Sequence, residues 1–144
     1  MRILIDADGC PTVDVTLRIA KAHGTECYIL CDTSHFFERE GATTITLSKG
    51  ADSVDFAIAN MVKPGDIVIT QDYPLAAMCL ARRAIPLSQD GMIYTDNNIG
   101  GLLEQRHLAQ KIRRSGGRLS GPSKRTDEQN AAFAAALSKL LGSI

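Results

Sequence analysis

The 144-residue chain has no tryptophan, and aromatic residues make up only 5% of it. Recognition built mainly on stacking bases against aromatic rings is therefore disfavoured. Net charge is missing too, since sixteen Lys and Arg balance sixteen Asp and Glu. Affinity for a polyanion must then come from local clustering. The four cysteines, Cys10, Cys27, Cys31 and Cys79, match neither a zinc ribbon nor a Cys-x-x-Cys redox pair. A reduced protein that uses most of its thiols as small core residues follows. Cys10 stands apart because it adjoins the acids described below, but no histidine lies beside it in sequence to activate it as a nucleophile. No apolar run approaches the length of a membrane span, and no signal-peptide pattern precedes the first strand. A cytoplasmic location without a membrane partner is expected. What is present, 44% hydrophobic and 22% charged residues, suits one soluble domain, 1–144, with a single core and no need of disulfides or structural metal.

The chain is organised around its first residues, Met1-Arg-Ile-Leu-Ile-Asp-Ala-Asp-Gly-Cys-Pro11. Ile3, Leu4 and Ile5 form the continuous apolar run of a central parallel strand covered on both faces. Asp6 and Asp8 follow two residues apart, where extended geometry turns both side chains to one face, and Gly9 and Pro11 end the strand. Taken alone, these acids divide evenly between a site and a bland pair in which Asp6 ends the strand and Asp8 caps a helix. The pattern recurs, however, in Asp66-Ile-Val-Ile-Thr-Gln-Asp72, a second apolar strand ending in a carboxylate and followed by Pro74. In open α/β sheets, ligands bind beyond the carboxyl ends of the strands, which is where Asp6, Asp8 and Asp72 fall.

Between these strands, Val13, Leu17 and Ala20 mark a helix over residues 12–23, stopped by Gly24, and residues 26–31 read as a strand. This is the length of a βαβ unit and implies a parallel sheet. His35 falls in a polar loop over residues 32–41 and is more simply a solvated side chain than a site residue. Residues 43–47 are β-favouring. In Gly50-Ala-Asp52-Ser-Val-Asp55, Val54, Ile58, Met61 and Val62 give the inward stripe of a helix, with Asp52 and Asp55 on one face of its first turn. Asp52 suits an N-cap. Asp55 sits beside the buried stripe, where an acid needs a partner. After the strand over residues 67–70 comes a helix apolar almost all round, hence buried, with Pro74 in its first turn. Strand 84–87 and an apolar piece at 92–94 complete the expected architecture: an α/β fold with a central, mostly parallel sheet of about five strands and one helix per crossover.

From residue 97 to 125 the composition changes. Asp96, Asn97 and Asn98 start a helix whose apolar face is Ile99, Leu102, Leu103 and Leu108. Arg106, Lys111, Arg113, Arg114, Arg118, Lys124 and Arg125 then occur with no acid among them. Solvated surfaces normally mix signs, so phosphate contact is the favoured reading of this helix-loop segment. Thr126-Asp-Glu-Gln129 is a capping box that opens a packing helix over residues 126–142.

Four carboxylates, Asp6, Asp8, Asp55 and Asp72, meeting at one sheet edge would need protons or cations to offset their repulsion. Oxygen donors without cysteine or histidine suit Mg²⁺ or Mn²⁺ rather than zinc, with Asp52 as a further candidate ligand. Such ions activate water and stabilise charge on phosphorus, so the expected activity is hydrolysis of phosphodiester bonds. At these motifs, together with Gly117-Arg-Leu-Ser-Gly-Pro122, the chain resembles the bacterial YaiI/YqxD family, related to PIN-domain nucleases. The resemblance implies a PIN-like domain, a Rossmann-like three-layer α/β fold with flanking helices, carrying a Mg²⁺ or Mn²⁺ site and acting on RNA or single-stranded nucleic acid. Asp6 would match the acid after the first strand, Asp55 the helical acid and Asp72 the acid after the later strand. A further acid common in such sites has Asp90 and Asp96 as candidates. Two alternatives stand beside the (ribo)nuclease. One is a phosphatase like the haloacid dehalogenases, with Asp6 as nucleophile; against it, Asp66 precedes its strand and no catalytic lysine follows in order. The other is a non-catalytic RNA- or nucleotide-binding module with a structural metal. A homodimer is left open.

Overall fold

The computed structural model describes residues 1–32, 38–48, 54–117 and 124–142. Five strands form one sheet: β1 (Arg2–Asp6), β2 (Glu26–Asp32), β3 (Thr43–Leu47), β4 (Ile67–Ile69) and β5 (Ile85–Leu87). Their order is β3-β2-β1-β4-β5, and every pairing is parallel. The helices are α1 (Val13–His23), α2 (Val54–Met61), α3 (Tyr73–Ala81), α4 (Ile99–Arg114) and α5 (Asp127–Gly142).

Strand periodicity sorts the core into two halves. Ile3 and Ile5 of β1 face the side covered by α1 and α5, packing with Val13, Ala20, Phe133 and Leu137. Leu4 faces the other side with Leu30 and Val68, against Val54 and Ile58 of α2 and Leu75 and Cys79 of α3. Both faces of β1 are therefore closed to water, which is why its sequence is uniformly apolar. The strand order reverses direction between β1 and β4, since the chain winds outward through β2 and β3 and then returns to the other side of β1. This switch point opens a crevice beyond the carboxyl ends of those two strands.

Local chemistry fixes the element ends. Gly24, at φ 64° in the left-handed region, closes α1. Asp72 caps α3 by accepting the Leu75 N–H at 3.2 Å, and Pro74 occupies its first turn. The Thr126–Gln129 capping box forms as expected: the Thr126 N–H donates to Gln129 Oε1 at 2.8 Å and the Gln129 N–H to Thr126 Oγ1 at 3.3 Å.

Two expectations are corrected. Asp8 does not lie on β1, which ends at Asp6. It stands in a turn closed by the Cys10 N–H donating to the Ala7 carbonyl at 3.0 Å, with Gly9 at φ 70°. Residues 92–94 do not form a strand. After Gly91 (φ 89°) the chain reverses and makes a single antiparallel bridge, Leu87 to Ile93, before Thr95 and Asn98 cap one another's backbone at the start of α4. The apolar face of α4 is not closed, because none of its residues is buried and Leu108 is 48% exposed. Its contacts are chiefly with α3 on the outside of the sheet, so it forms an outer shelf rather than a core helix. His35 and Asp52 lie outside the described residues. Among the described residues no helix is long and apolar enough to cross a membrane.

Candidate active site at the carboxyl edge of the sheet

Asp6, Asp8 and Asp72 line one cavity of about 520 Å³ at the switch point, together with Gly9, Cys10, Ile69, Thr70, Gln71 and Gln89. Alternation along β1 puts Asp6 on the face of Leu4, the side covered by α2 and α3. That placement brings it into the field of Asp55 in the first turn of α2. Asp6 is held by Thr70, whose hydroxyl donates to Asp6 Oδ2 at 2.8 Å and accepts the Asp72 N–H at 3.0 Å. Thr70 itself has no freedom to turn. It is buried, its N–H donates to the Leu87 carbonyl, and its carbonyl accepts the Tyr94 hydroxyl at 3.1 Å.

These surroundings raise the Asp6 carboxyl from its usual 3.8 to about 6. Burial is the main cause; the Thr70 hydrogen bond opposes it, and the charges of Asp72, Asp8 and Asp55 add to it. Cys10 also faces the cavity, with Sγ 3.3 Å from Thr12 Oγ1. Burial pushes its thiol upward, away from the thiolate that nucleophilic attack requires.

Among the described residues, no three His, Cys, Asp or Glu side chains are gathered as a ready-made metal cage. Mg²⁺ keeps several waters and takes only one or two protein carboxylates, so it does not need such a cage. Asp6, Asp8 and Asp72 supply that kind of donor set on one cavity wall, and a cation there would offset the charges of Asp72, Asp8 and Asp55 that add to the effect of burial on Asp6.

The other acids fall elsewhere. Asp66 lies at the amino edge of the sheet, paired with Arg2 at 2.7 Å. Asp90 pairs with Arg125 at 2.7 Å and lines a neighbouring cleft of about 290 Å³ with Gln71, Gln89 and Gln129. Arg125 also binds the Gln89 carbonyl and Asn130 Oδ1, so its job is to tie α5 to the turn that walls the acid cavity. Asp96 is exposed. Arg106 and Arg113 line a third concavity of about 370 Å³, which meets the acid cavity at Gln71. Lys111, Arg114 and Lys124 are exposed, and Arg118 lies outside the described residues. Sequence reasoning missed Thr70, Gln71 and Gln89. The only signal for Thr70 was a lone hydroxyl ending an apolar strand.

An all-parallel sheet with an acidic cavity at its switch point defines a Rossmann-like α/β protein carrying a carboxylate site. Within that class the chain belongs to the family described as "Uncharacterized BCR, YaiI/YqxD family", whose model matches residues 4–143. It is 54% identical to a UPF0178 protein of Exiguobacterium sibiricum over 141 residues, covering 98% of this chain and 96% of that protein. A UPF0178 protein of Ruminiclostridium cellulolyticum is 50% identical over 137 residues, covering 95% and 90%. One from Lachnoclostridium phytofermentans is 42% identical over 147 residues, covering 100% and 99%.

Proposed function

We propose that the protein is a PIN-like, Mg²⁺- or Mn²⁺-dependent nuclease that hydrolyses phosphodiester bonds of RNA or single-stranded nucleic acid. The observation that carries this reading is the cavity at the switch point, which Asp6, Asp8 and Asp72 line together. Asp6, Asp8, Asp55 and Asp72 would hold the metal, directly or through its waters. Bound there, the ion would supply a water of lowered pKa and offset charge at phosphorus. Thr70 fixes the Asp6 carboxylate, and Gln89 lines the cavity beside it. Arg106, Lys111, Arg113, Arg114, Arg118 and Lys124 would hold flanking phosphates. The phosphatase reading loses ground because Asp66 is committed to Arg2 at the opposite edge of the sheet.

The test is cleavage of labelled single-stranded RNA and DNA in Mn²⁺ or Mg²⁺. Wild-type protein should cut, and Asp6→Asn should lose at least ~10³-fold in rate while binding as well or better, because a buried negative charge has gone. No cleavage at any Mn²⁺ concentration, with binding intact, would mean a non-catalytic binding module. A trapped aspartyl-phosphate at Asp6 would mean a phosphatase.

A further inference from the structure

The concavity between the start of α3 and the outer face of α4 has its own chemistry. Gln71, Tyr73, Gln105, Arg106, Gln110 and Arg113 line it. Arg106, Gln110 and Arg113 succeed one another at helical spacing, so they form one face of α4. Ala109, with its small side chain, lines the concavity as well. Tyr73 is braced by an edge-on contact with the buried Tyr94, ring centroids 5.9 Å apart. Gln71 is the shared wall: it also lines the acid cavity, and its Oε1 accepts the Gln89 N–H at 2.8 Å. Its amide N–H groups are thereby left to donate. Among the described residues no ion pair engages Arg106 or Arg113.

A cleft for phosphate alone needs cations and N–H donors. Three carboxamides, Gln71 with N–H groups left to donate and Gln105 and Gln110 able to donate and accept, match instead the mixed donor and acceptor edge of a nucleobase. Such edges are accessible in single strands and hidden in an A-form duplex. We infer that this cleft is a nucleotide subsite for single-stranded nucleic acid. Gln71, Gln105 and Gln110 take the base edge, Arg106 and Arg113 take the adjoining phosphate, and the strand passes Gln71 into the acid cavity. The direction of the strand rests on the nuclease reading of that cavity; occupancy of the cleft does not. The subsite also reconciles a nucleic-acid ligand with a chain poor in aromatic rings, because the base is read by amides rather than held by stacking.

The experiment measures anisotropy of a short labelled single-stranded RNA in the Asp6→Asn protein without divalent ions, and cleavage by otherwise wild-type protein in Mn²⁺. Gln105→Ala with Gln110→Ala should weaken single-strand binding roughly tenfold with an unchanged salt dependence. Arg106→Ala with Arg113→Ala should weaken it and flatten the salt slope by roughly 1–2. A duplex of the same sequence should not respond to the glutamine pair. Parent-like single-strand binding by the glutamine variant, or an equal loss on duplex, overturns the subsite. If wild-type protein cleaves and the glutamine variant cleaves and binds identically, the subsite fails and the nuclease stands. If the glutamine variant loses binding while no protein cleaves in any metal, the subsite stands and the nuclease fails.

Discussion

Asp6 is a carboxylate kept where its charge is costly. With its folded-state value raised from 3.8 to about 6, the native protein holds that proton more tightly than the unfolded chain between those pH values. Stability therefore falls as pH rises from about 4 to 6, and the loss is complete above that window. The full shift corresponds to at most about 3 kcal/mol. Asp6→Asn, which keeps an oxygen for the Thr70 hydroxyl, should accordingly raise stability by about 2–3 kcal/mol at pH 7.5 without metal, and by little at pH 4. Urea unfolding across this pH range checks it; a variant less stable than wild type at every pH would contradict it. Thr70→Val removes both the donor to Asp6 and the acceptor for the Asp72 N–H. It should cost about 1–3 kcal/mol and move the acid limb of the activity profile to higher pH, since the hydrogen bond that favours the charged form is gone. At this scale Asp6 and Asp72 were legible, because a carboxylate at the end of an apolar strand is conspicuous. Thr70 and Gln71 were not, because polar residues after a strand ordinarily mean only that the strand has ended.

Among the elements, β1 and β4 are joined at their amino ends by the Arg2–Asp66 pair. Asp66 accepts the Arg2 N–H, two bonds from its guanidinium and the Lys63 N–H. Burial, the largest single influence, pushes the Asp66 carboxyl up, but these donors together hold it below its usual value. Its contribution is thus present above about pH 4 and is lost as pH falls through the depressed value. Asp66→Ala should cost about 2–4 kcal/mol at pH 7, less than a fully buried pair because Arg2 reaches solvent, and should abolish this acid-limb dependence in chemical denaturation. Gly91 is the corresponding device at the other end. A Cβ there would lie 2.6 Å from the Ala132 carbonyl oxygen, and φ is 89°. Gly91→Ala should cost at least about 2 kcal/mol and loosen α5 from the turn that walls the site, seen as faster amide exchange at the start of α5. The strands were readable because both faces of a parallel sheet demand apolar runs. Residues 92–94 misled because an apolar triplet also suits a reversal that buries one ring, here Tyr94. The apolar face of α4 was legible, but its position on the outside of α3, which leaves that face unclosed, was not.

Over the whole molecule, the two edges of the sheet divide the work. The amino edge carries a satisfied ion pair that stabilises the fold, and the carboxyl edge carries like charges that destabilise it. Nothing local required Asp6 and Asp72, sixty-six positions apart in sequence, to share a cavity. The strand order does so by setting β1 beside β4. That order could be anticipated only in outline, since βαβ spacing fixes parallel pairing and handedness but not which strand returns to which side of β1. The same topology puts the basic face of α4 next to the acid cavity, with Gln71 between them.

The most direct measurement is a calorimetric titration of Mn²⁺ into wild-type and Asp6→Asn protein at pH 7.5. Saturable binding to the wild type, weakened at least ~10-fold by Asp6→Asn, is predicted, because removing a ligand should cost no less than removing its outer-shell partner. Equal binding to both proteins, or none to the wild type, would contradict the claim that these carboxylates form a cation site.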